Sequence, residues 1–233
     1  MLARLAKDPS RAALLLDVDG TLAPIVPRPE DARVPSETQA ELRRLHGRYG
    51  LVACISGRAG EDAQRVVGVA DLVYVGNHGL ELEPESSVWG DRLVHFLADV
   101  DWPDTEDKGL SASLHYRKAQ DELEARALLE TVAERARKAG FVARFGRKVL
   151  ELLPPIPANK GTAVRRLLGQ HQLERALYAG DDSTDLDAFA ALDLLGLAVR
   201  VAVVSGEAPT ELAEAADIVV DSPAGLLGVL RRL

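Results

Sequence analysis

A single cysteine, Cys54, is all the thiol chemistry this 233-residue chain has. One thiol cannot close an intramolecular disulfide, so a packed core has to hold the fold, and a reducing compartment is the expected setting. Long apolar runs are also missing. None approaches the ~20 residues that span a bilayer, and the charged stretch from Met1 to Arg11 has no apolar segment of the signal-peptide kind. No basic tract stands out and the net charge is -8, which disfavours a nucleic-acid partner. There is no internal repeat and no low-complexity tract. These absences lead us to expect a cytoplasmic protein with no membrane and no nucleic-acid partner.

What is present is core material in alternating rhythm. Hydrophobic residues make up 47% of the chain, which argues against wholesale disorder. The length suits one large or two modest domains. Apolar runs of strand length at 12–17, 51–56 and 72–76 open the chain, and similar runs at 175–179, 198–204 and 217–220 close it. A helix is expected over 36–49 with Ser36 as its N-cap, and further helices near 160–169, 184–192, 208–215 and 223–232. Such alternation predicts an α/β fold, a parallel sheet with helices on both faces.

The middle has another rhythm. Leu110 to Arg117 alternates polar and apolar. Asp121 to Lys138 is amphipathic over a helical period, with Gly140 suited to the helix end. Phe141–Phe145 and Lys148–Leu153 follow as short strands. The expectation is a small α+β insert with one open sheet face. It is flanked by the linker-like stretches 83–87 and 154–157. We place the domains at 1–84 with 156–233, and at 85–155. Both ends of the insert join the larger domain, so it is expected to form a cap. Trp89 and Trp102 read as packing residues and Cys54 as a buried, inert thiol.

Four clusters fall at the C-terminal ends of the core strands or at the start of a helix, where open α/β sheets place their sites. They are Asp17-Val18-Asp19-Gly20-Thr21, Ser56-Gly57-Arg58, Lys160-Gly161-Thr162 and Gly180-Asp181-Asp182-Ser183-Thr184-Asp185. Acids this close repel one another, so the pattern needs a cation or a reaction. A phosphomonoester is a dianion that a carboxylate cannot approach unaided. Mg2+, an oxygen-seeking ion, would bridge carboxylate and phosphate oxygens. Lys160, Ser56 and the backbone amides after Asp17, Gly20 included, would share the remaining charge. One of the first two acids can attack phosphorus, and the other can protonate the leaving alkoxide and then activate water. Lys160 opens a helix, where a cation is slightly unfavourable against the dipole, which argues for a functional role.

Those four clusters resemble, in order, the motifs of the haloacid dehalogenase superfamily. The resemblance implies a Rossmann-like core with a cap inserted between the second and third motifs. It makes Asp17 the nucleophile and Asp19 the general acid/base. It gives Mg2+ to Asp17, the Asp19 carbonyl and Asp181, with Asp185 supporting from behind or through water. A narrower likeness extends to Leu22-Ala23-Pro24-Ile25-Val26-Pro27, Gly76-Asn77-His78-Gly79, Glu106-Asp107-Lys108-Gly109, Leu114-His115-Tyr116-Arg117 and Gly146-Arg147-Lys148-Val149-Leu150-Glu151. These resemble trehalose-6-phosphate phosphatases. That family likeness implies a cap that grips the sugar through Glu106, Lys108, Arg117, Arg147 and Glu151, with Asn77 and His78 contributing to the floor of the site; Arg58 is read from its place after a core strand as a substrate- or phosphate-side residue. Strand parity is expected to put Arg147 and Glu151 on one face and Lys148 on the other. The implied substrate is a sugar phosphate, trehalose 6-phosphate, and the implied functional partner is a separate trehalose-6-phosphate synthase. The core motifs alone leave open another capped sugar phosphatase acting on sucrose 6-phosphate, mannosyl-3-phosphoglycerate or hexose phosphates; a third reading is a non-catalytic sugar-phosphate sensor, against which the intact acids and Lys160 argue.

Overall fold

The computed structural model describes residues 1–204 and 209–233. Its strands, in chain order, are β1 (Ala13–Leu16), β2 (Leu51–Ile55), β3 (Val73–Val75), β4 (Thr105–Asp107), β5 (Ala112–His115), β6 (Val142–Gly146), β7 (Val149–Leu153), β8 (Arg175–Gly180), β9 (Leu197–Val203) and β10 (Ile218–Val220). Its helices are α1 (Leu2–Leu5), α2 (Ser36–His46), α3 (Gly60–Val67), α4 (Ser86–Leu97), α5 (Glu122–Lys138), α6 (Lys160–His171), α7 (Asp185–Ala191), α8 (Thr210–Ala215) and α9 (Pro223–Leu230). The chain divides into two compact units, Met1–Gly79 with Ala158–Leu233, and Leu80–Pro157.

In the larger unit a parallel sheet runs in the order β10-β9-β8-β1-β2-β3. Every residue of β1 and β2 is buried, as continuous apolar strands covered on both faces should be. One face, with Leu14, Leu16, Val52, Cys54, Leu177 and Val199, packs on Leu42 and Leu45 of α2, Val66 of α3 and Leu226 of α9. The opposite face presents Tyr178, whose ring stands edge-on to Phe189 of α7 at 6.0 Å. The order of strands reverses between β1 and β8. That reversal opens the carboxyl ends of two neighbouring strands side by side, and open α/β sheets put ligands there.

In the smaller unit an antiparallel sheet runs β4-β5-β7-β6. Leu114, Leu150, Leu152 and Ala112 turn to a core built with Leu93 of α4 and Leu129 and Ala133 of α5. Trp89 stands edge-on to Phe141 at 5.2 Å, and Trp102 donates its indole N–H to the His115 carbonyl at 2.7 Å, so both tryptophans pack. Asp121 caps α5 by accepting from the N–H groups of Leu123 and Glu124.

The α/β class expected from the sequence is the class observed. Several details differ. Pro35, not Ser36, is the N-cap of α2, and no side chain caps that helix. Pro35 lacks an N–H and sits extended at φ -57°, ψ 145°, so the helix begins one residue after it with Ser36 already inside. The residues 86 and 87, read as linker, begin α4, and β4 was not anticipated. The helix expected from 208 starts at Thr210, and Ala208 lies outside the described residues. Among the described residues no helix is long and apolar enough to cross a membrane.

Candidate active site

β1 and β8 are hydrogen-bonded neighbours, so the residues that follow them meet. Asp17 continues β1, donating its N–H to the Ala179 carbonyl at 2.9 Å, and its side chain is buried. Gly20 closes the turn after it at φ +79°. A Cβ there would stand 1.9 Å from a carboxylate oxygen of Asp181, so only glycine lets that carboxylate lie against the backbone. Thr21 donates its hydroxyl to the other oxygen of Asp181 at 3.1 Å.

Lys160 is the first residue of α6 and is held there by a capping box. The Asn159 side chain accepts from the Thr162 N–H, and the Thr162 hydroxyl accepts from the Asn159 N–H. Its buried ammonium donates to Asp17 Oδ1 at 2.8 Å and to Asp185 Oδ1 at 2.7 Å. Asp185 is wholly buried and both its oxygens are engaged. Oδ1 also accepts from the Tyr178 hydroxyl at 2.7 Å, while Oδ2 accepts from the N–H groups of Asp181 and Asp182 at 2.9 and 3.0 Å. Asp185 therefore anchors the lysine and the loop that carries Asp181.

The electrostatics follow. Burial, only partly offset by Lys160, pushes Asp17 well above the usual carboxylate range, with Asp185 and Asp181 adding to the rise. Burial and then repulsion from Asp185 push Asp181 up to about 6. Burial opposes the Lys160 charge, yet the attraction of Asp17 and Asp185 outweighs it and raises the ammonium above its ordinary value. One cation faces three acids, so the cluster keeps surplus negative charge. Asp17, Asp181 and Asp185 can each offer an oxygen within 4.8 Å of the others, a donor set of the oxygen type that Mg2+ takes. Asp185 spends both oxygens on the protein, so Asp17 and Asp181 are the acids of this set that could take a metal directly.

Asp19 lies on the more open side. The Arg58 guanidinium forks onto it, Nε to Oδ2 at 2.6 Å and Nη2 to Oδ1 at 2.7 Å, while Nη1 reaches Asp62 Oδ2 at 2.7 Å. Asp62, in the first turn of α3, was not singled out in the sequence, although its spacing from Arg58 was a signal. Ser56 is buried, and its hydroxyl accepts from the Arg58 N–H at 3.2 Å. The Asn77 N–H donates to the Arg58 carbonyl at 2.7 Å and the His78 N–H to the Ser56 carbonyl at 2.9 Å, tying the two loops together. Asn77 and His78 both take positive φ, 51° and 53°, a conformation for which Asn and His are enriched. The His78 ring occupies the space that a side chain at Gly57 would need. Thus the larger unit brings together Asp17, Asp19, Gly20, Ser56, Arg58, Asn77, His78, Lys160, Asp181 and Asp185.

The remaining residues lie in the smaller unit. Cross-strand register puts Glu106, Ser113, Glu151 and Arg144 in one row on the face opposite the core. Lys108 Nζ is 3.7 Å from Glu106 Oε2, and His115 Nε2 is 3.3 Å from the same oxygen. Glu151 Oε2 pairs with Arg144 Nη2 at 3.3 Å. The parity expected for Arg147 does not hold, because Arg147 and Lys148 form the two-residue turn joining β6 to β7. Lys148 there has φ +61° and pairs with Glu122 at 2.5 Å. Strand alternation cannot be carried through a turn. Arg117 lies exposed beyond the end of β5, and among the described residues no ion pair joins Arg117 or Arg147 to Glu106 or Glu151.

The family model described as trehalose-phosphatase matches residues 15–105 and 93–218. A probable trehalose-phosphate phosphatase of Sinorhizobium fredii is 34% identical over 217 residues, 86% of this chain and 81% of that protein. Mycobacterial relatives are longer, and the chain spans 54% of the Mycobacterium marinum trehalose-phosphate phosphatase. The solved structure of a trehalose-6-phosphate phosphatase related protein superposes with a TM-score of 0.70 at 26% identity, covering 94% of this chain and 95% of that one. The Aspergillus fumigatus trehalose-6-phosphate phosphatase gives a TM-score of 0.62 at 26% identity, over 99% and 96%. On the strength of a family match that runs through both units and the acid–lysine cluster, the chain belongs to the trehalose-phosphatase family of phosphatases.

Proposed function

We propose that the chain hydrolyses trehalose 6-phosphate to trehalose and phosphate with the help of Mg2+. The observation that carries this reading is the Lys160 ammonium bridging Asp17 and Asp185, with Asp181 completing the acid cluster at the ends of β1 and β8. Asp17 and Asp181 would hold the ion, which supplies positive charge to draw a phosphate dianion onto a set of acids. Lys160 fixes one oxygen of Asp17 and leaves the other to attack phosphorus. The P–O bond to Asp17 forms as the P–O bond to the sugar breaks, and Asp19 gives its proton to the sugar alkoxide. Water then attacks phosphorus, Asp19 takes a proton back, and the Asp17 carboxylate is restored. Arg58 holds Asp19 as an ion pair, so donation requires that pair to open. A phosphate dianion competes with Asp19 for the same guanidinium. Glu106, Lys108 and Glu151, on the polar face of the small sheet, take the sugar hydroxyls, with Arg117 and Arg147 as the outlying cations the family likeness supplies.

The test is phosphate release from trehalose 6-phosphate set against sucrose 6-phosphate, mannosyl-3-phosphoglycerate and glucose 6-phosphate, with and without EDTA. The expected outcome is preference for trehalose 6-phosphate, loss of turnover in EDTA and its return on adding Mg2+. Asp17→Asn is expected to abolish turnover. Retained steady-state activity in Asp17→Asn would remove the nucleophile, and an undiminished rate in EDTA would remove the ion.

A further inference from the structure

The polar face of the small sheet carries a cation that the sequence did not mark. Arg144 lies on β6 directly opposite Glu151 on β7, and Glu151 lies opposite Ser113, which lies opposite Glu106. These four residues form one lateral row. The neighbouring rows on the same face hold Asp104 and His115 on one side and Lys108 and Ser111 on the other. The other face of the same strands is spent on the core, with Phe145 of β6 under the guanidinium of Arg126 from α5. Arg144 therefore has no packing duty. Its side chain is 65% exposed, and it reaches Glu151 at 3.3 Å.

We propose that Arg144 is a specificity-determining residue of the sugar-binding face, working with Glu151 as a donor–acceptor pair; this rests on the proposed sugar phosphatase activity. A sugar hydroxyl is both donor and acceptor. It can donate to a Glu151 oxygen while accepting from a guanidinium N–H, and two adjacent hydroxyls can take both groups at once. A carboxylate alone would meet only half of that requirement. Arg147, one turn position past the strand, has no such fixed relation to Glu151. An exposed ion pair adds little to stability by itself, so the fold has little need of this one.

The experiment compares kcat/KM for trehalose 6-phosphate and for p-nitrophenyl phosphate, which carries no sugar, in Arg144→Ala, Arg144→Lys, Arg147→Ala and Arg126→Ala. Loss of a hydrogen bond from a charged donor corresponds to about a tenfold or larger fall. Arg144→Ala is expected to lower the ratio of the two kcat/KM values by about tenfold, chiefly through KM, and Arg144→Lys to recover part of it. Arg126→Ala strips a cation from the opposite face of the same strand and is expected to keep the wild-type ratio. A ratio within about twofold of wild type in Arg144→Ala, or the same fall in Arg126→Ala, would overturn the assignment. So would a larger fall in Arg147→Ala than in Arg144→Ala. If the wild-type chain prefers another sugar phosphate, the trehalose reading fails while the same ratio on the preferred ester still decides Arg144. A wild-type chain that hydrolyses no sugar phosphate would overturn both.

Discussion

Asp181 follows β8 and Asp185 opens α7 four residues later, yet their hydrogen bonds give them opposite relations to the fold. Asp185 accepts from the Lys160 ammonium, the Tyr178 hydroxyl and two backbone N–H groups inside a fully buried site. An amide in its place would set two donors among donors. Asp185→Asn is therefore expected to cost roughly 2–4 kcal/mol in urea unfolding, whether or not Mg2+ is present. Burial, and after it repulsion from Asp185, has already pushed the Asp181 carboxyl up to about 6. Removing its charge relieves that repulsion. Asp181→Asn is expected to be no less stable than wild type in EDTA, while the stabilisation that Mg2+ confers on wild type disappears. A variant that is strongly destabilised in EDTA would show that Asp181, like Asp185, is part of the scaffold.

At the scale of elements, α6 packs its apolar side and sets the Lys160 ammonium against the acid cluster. Lys160 is its first residue, so its position depends on how firmly the helix start is held, and the Asn159–Thr162 capping box does the holding. Asn159→Ala removes a cap worth about 1 kcal/mol. It is expected to lower the melting temperature by a few degrees and to lower kcat more than KM, because it displaces the ammonium that holds Asp17, the proposed nucleophile; a change in KM alone would refute this. The same scale shows why parts of the chain were readable in advance. β1, β2 and β8 are buried on both faces, so their composition alone marks them, and the acids at their tips inherit that certainty of position. β4 spans only Thr105–Asp107 and is exposed throughout, which leaves no apolar alternation to read. α4 carries Gly90 in its interior, where the Gly109 carbonyl comes within 3.1 Å of a hypothetical Cβ, and a central glycine reads as a break. The Arg58–Asp19 and Arg144–Glu151 pairs depend on loop packing and strand register, quantities set by the whole sheet and carried by no local pattern.

The acid cluster ties the stability of the whole molecule to pH, and the proposed Mg2+ would tie it to metal as well. Asp17 and Asp181 are both raised above the ordinary carboxylate value of 3.8, Asp181 to about 6. A carboxyl that binds its proton more tightly folded than unfolded stabilises the fold fully below the unfolded value. That contribution is lost as pH rises through the folded value. In EDTA the contribution of Asp181 is therefore expected to fall between about pH 4 and about pH 6, the rise in Asp17 extending the same trend. Mg2+ bound as proposed at Asp17 and Asp181 would take the place of the lost protons, so the stabilisation it confers is expected to grow over that window. At a free concentration of 100 times Kd it amounts to about 2.7 kcal/mol. The units Met1–Gly79 with Ala158–Leu233, and Leu80–Pro157, have separate cores. All the acids concerned lie in the first. Hydrogen exchange at pH 7 should thus show Mg2+ slowing amides near Asp17 and Asp181 and across β1 and β8, with those of β4 to β7 unaffected. Equal protection of both units would mean that the ion acts on the molecule as a single cooperative body, and protection confined to β4 to β7 would remove the acid cluster as its site.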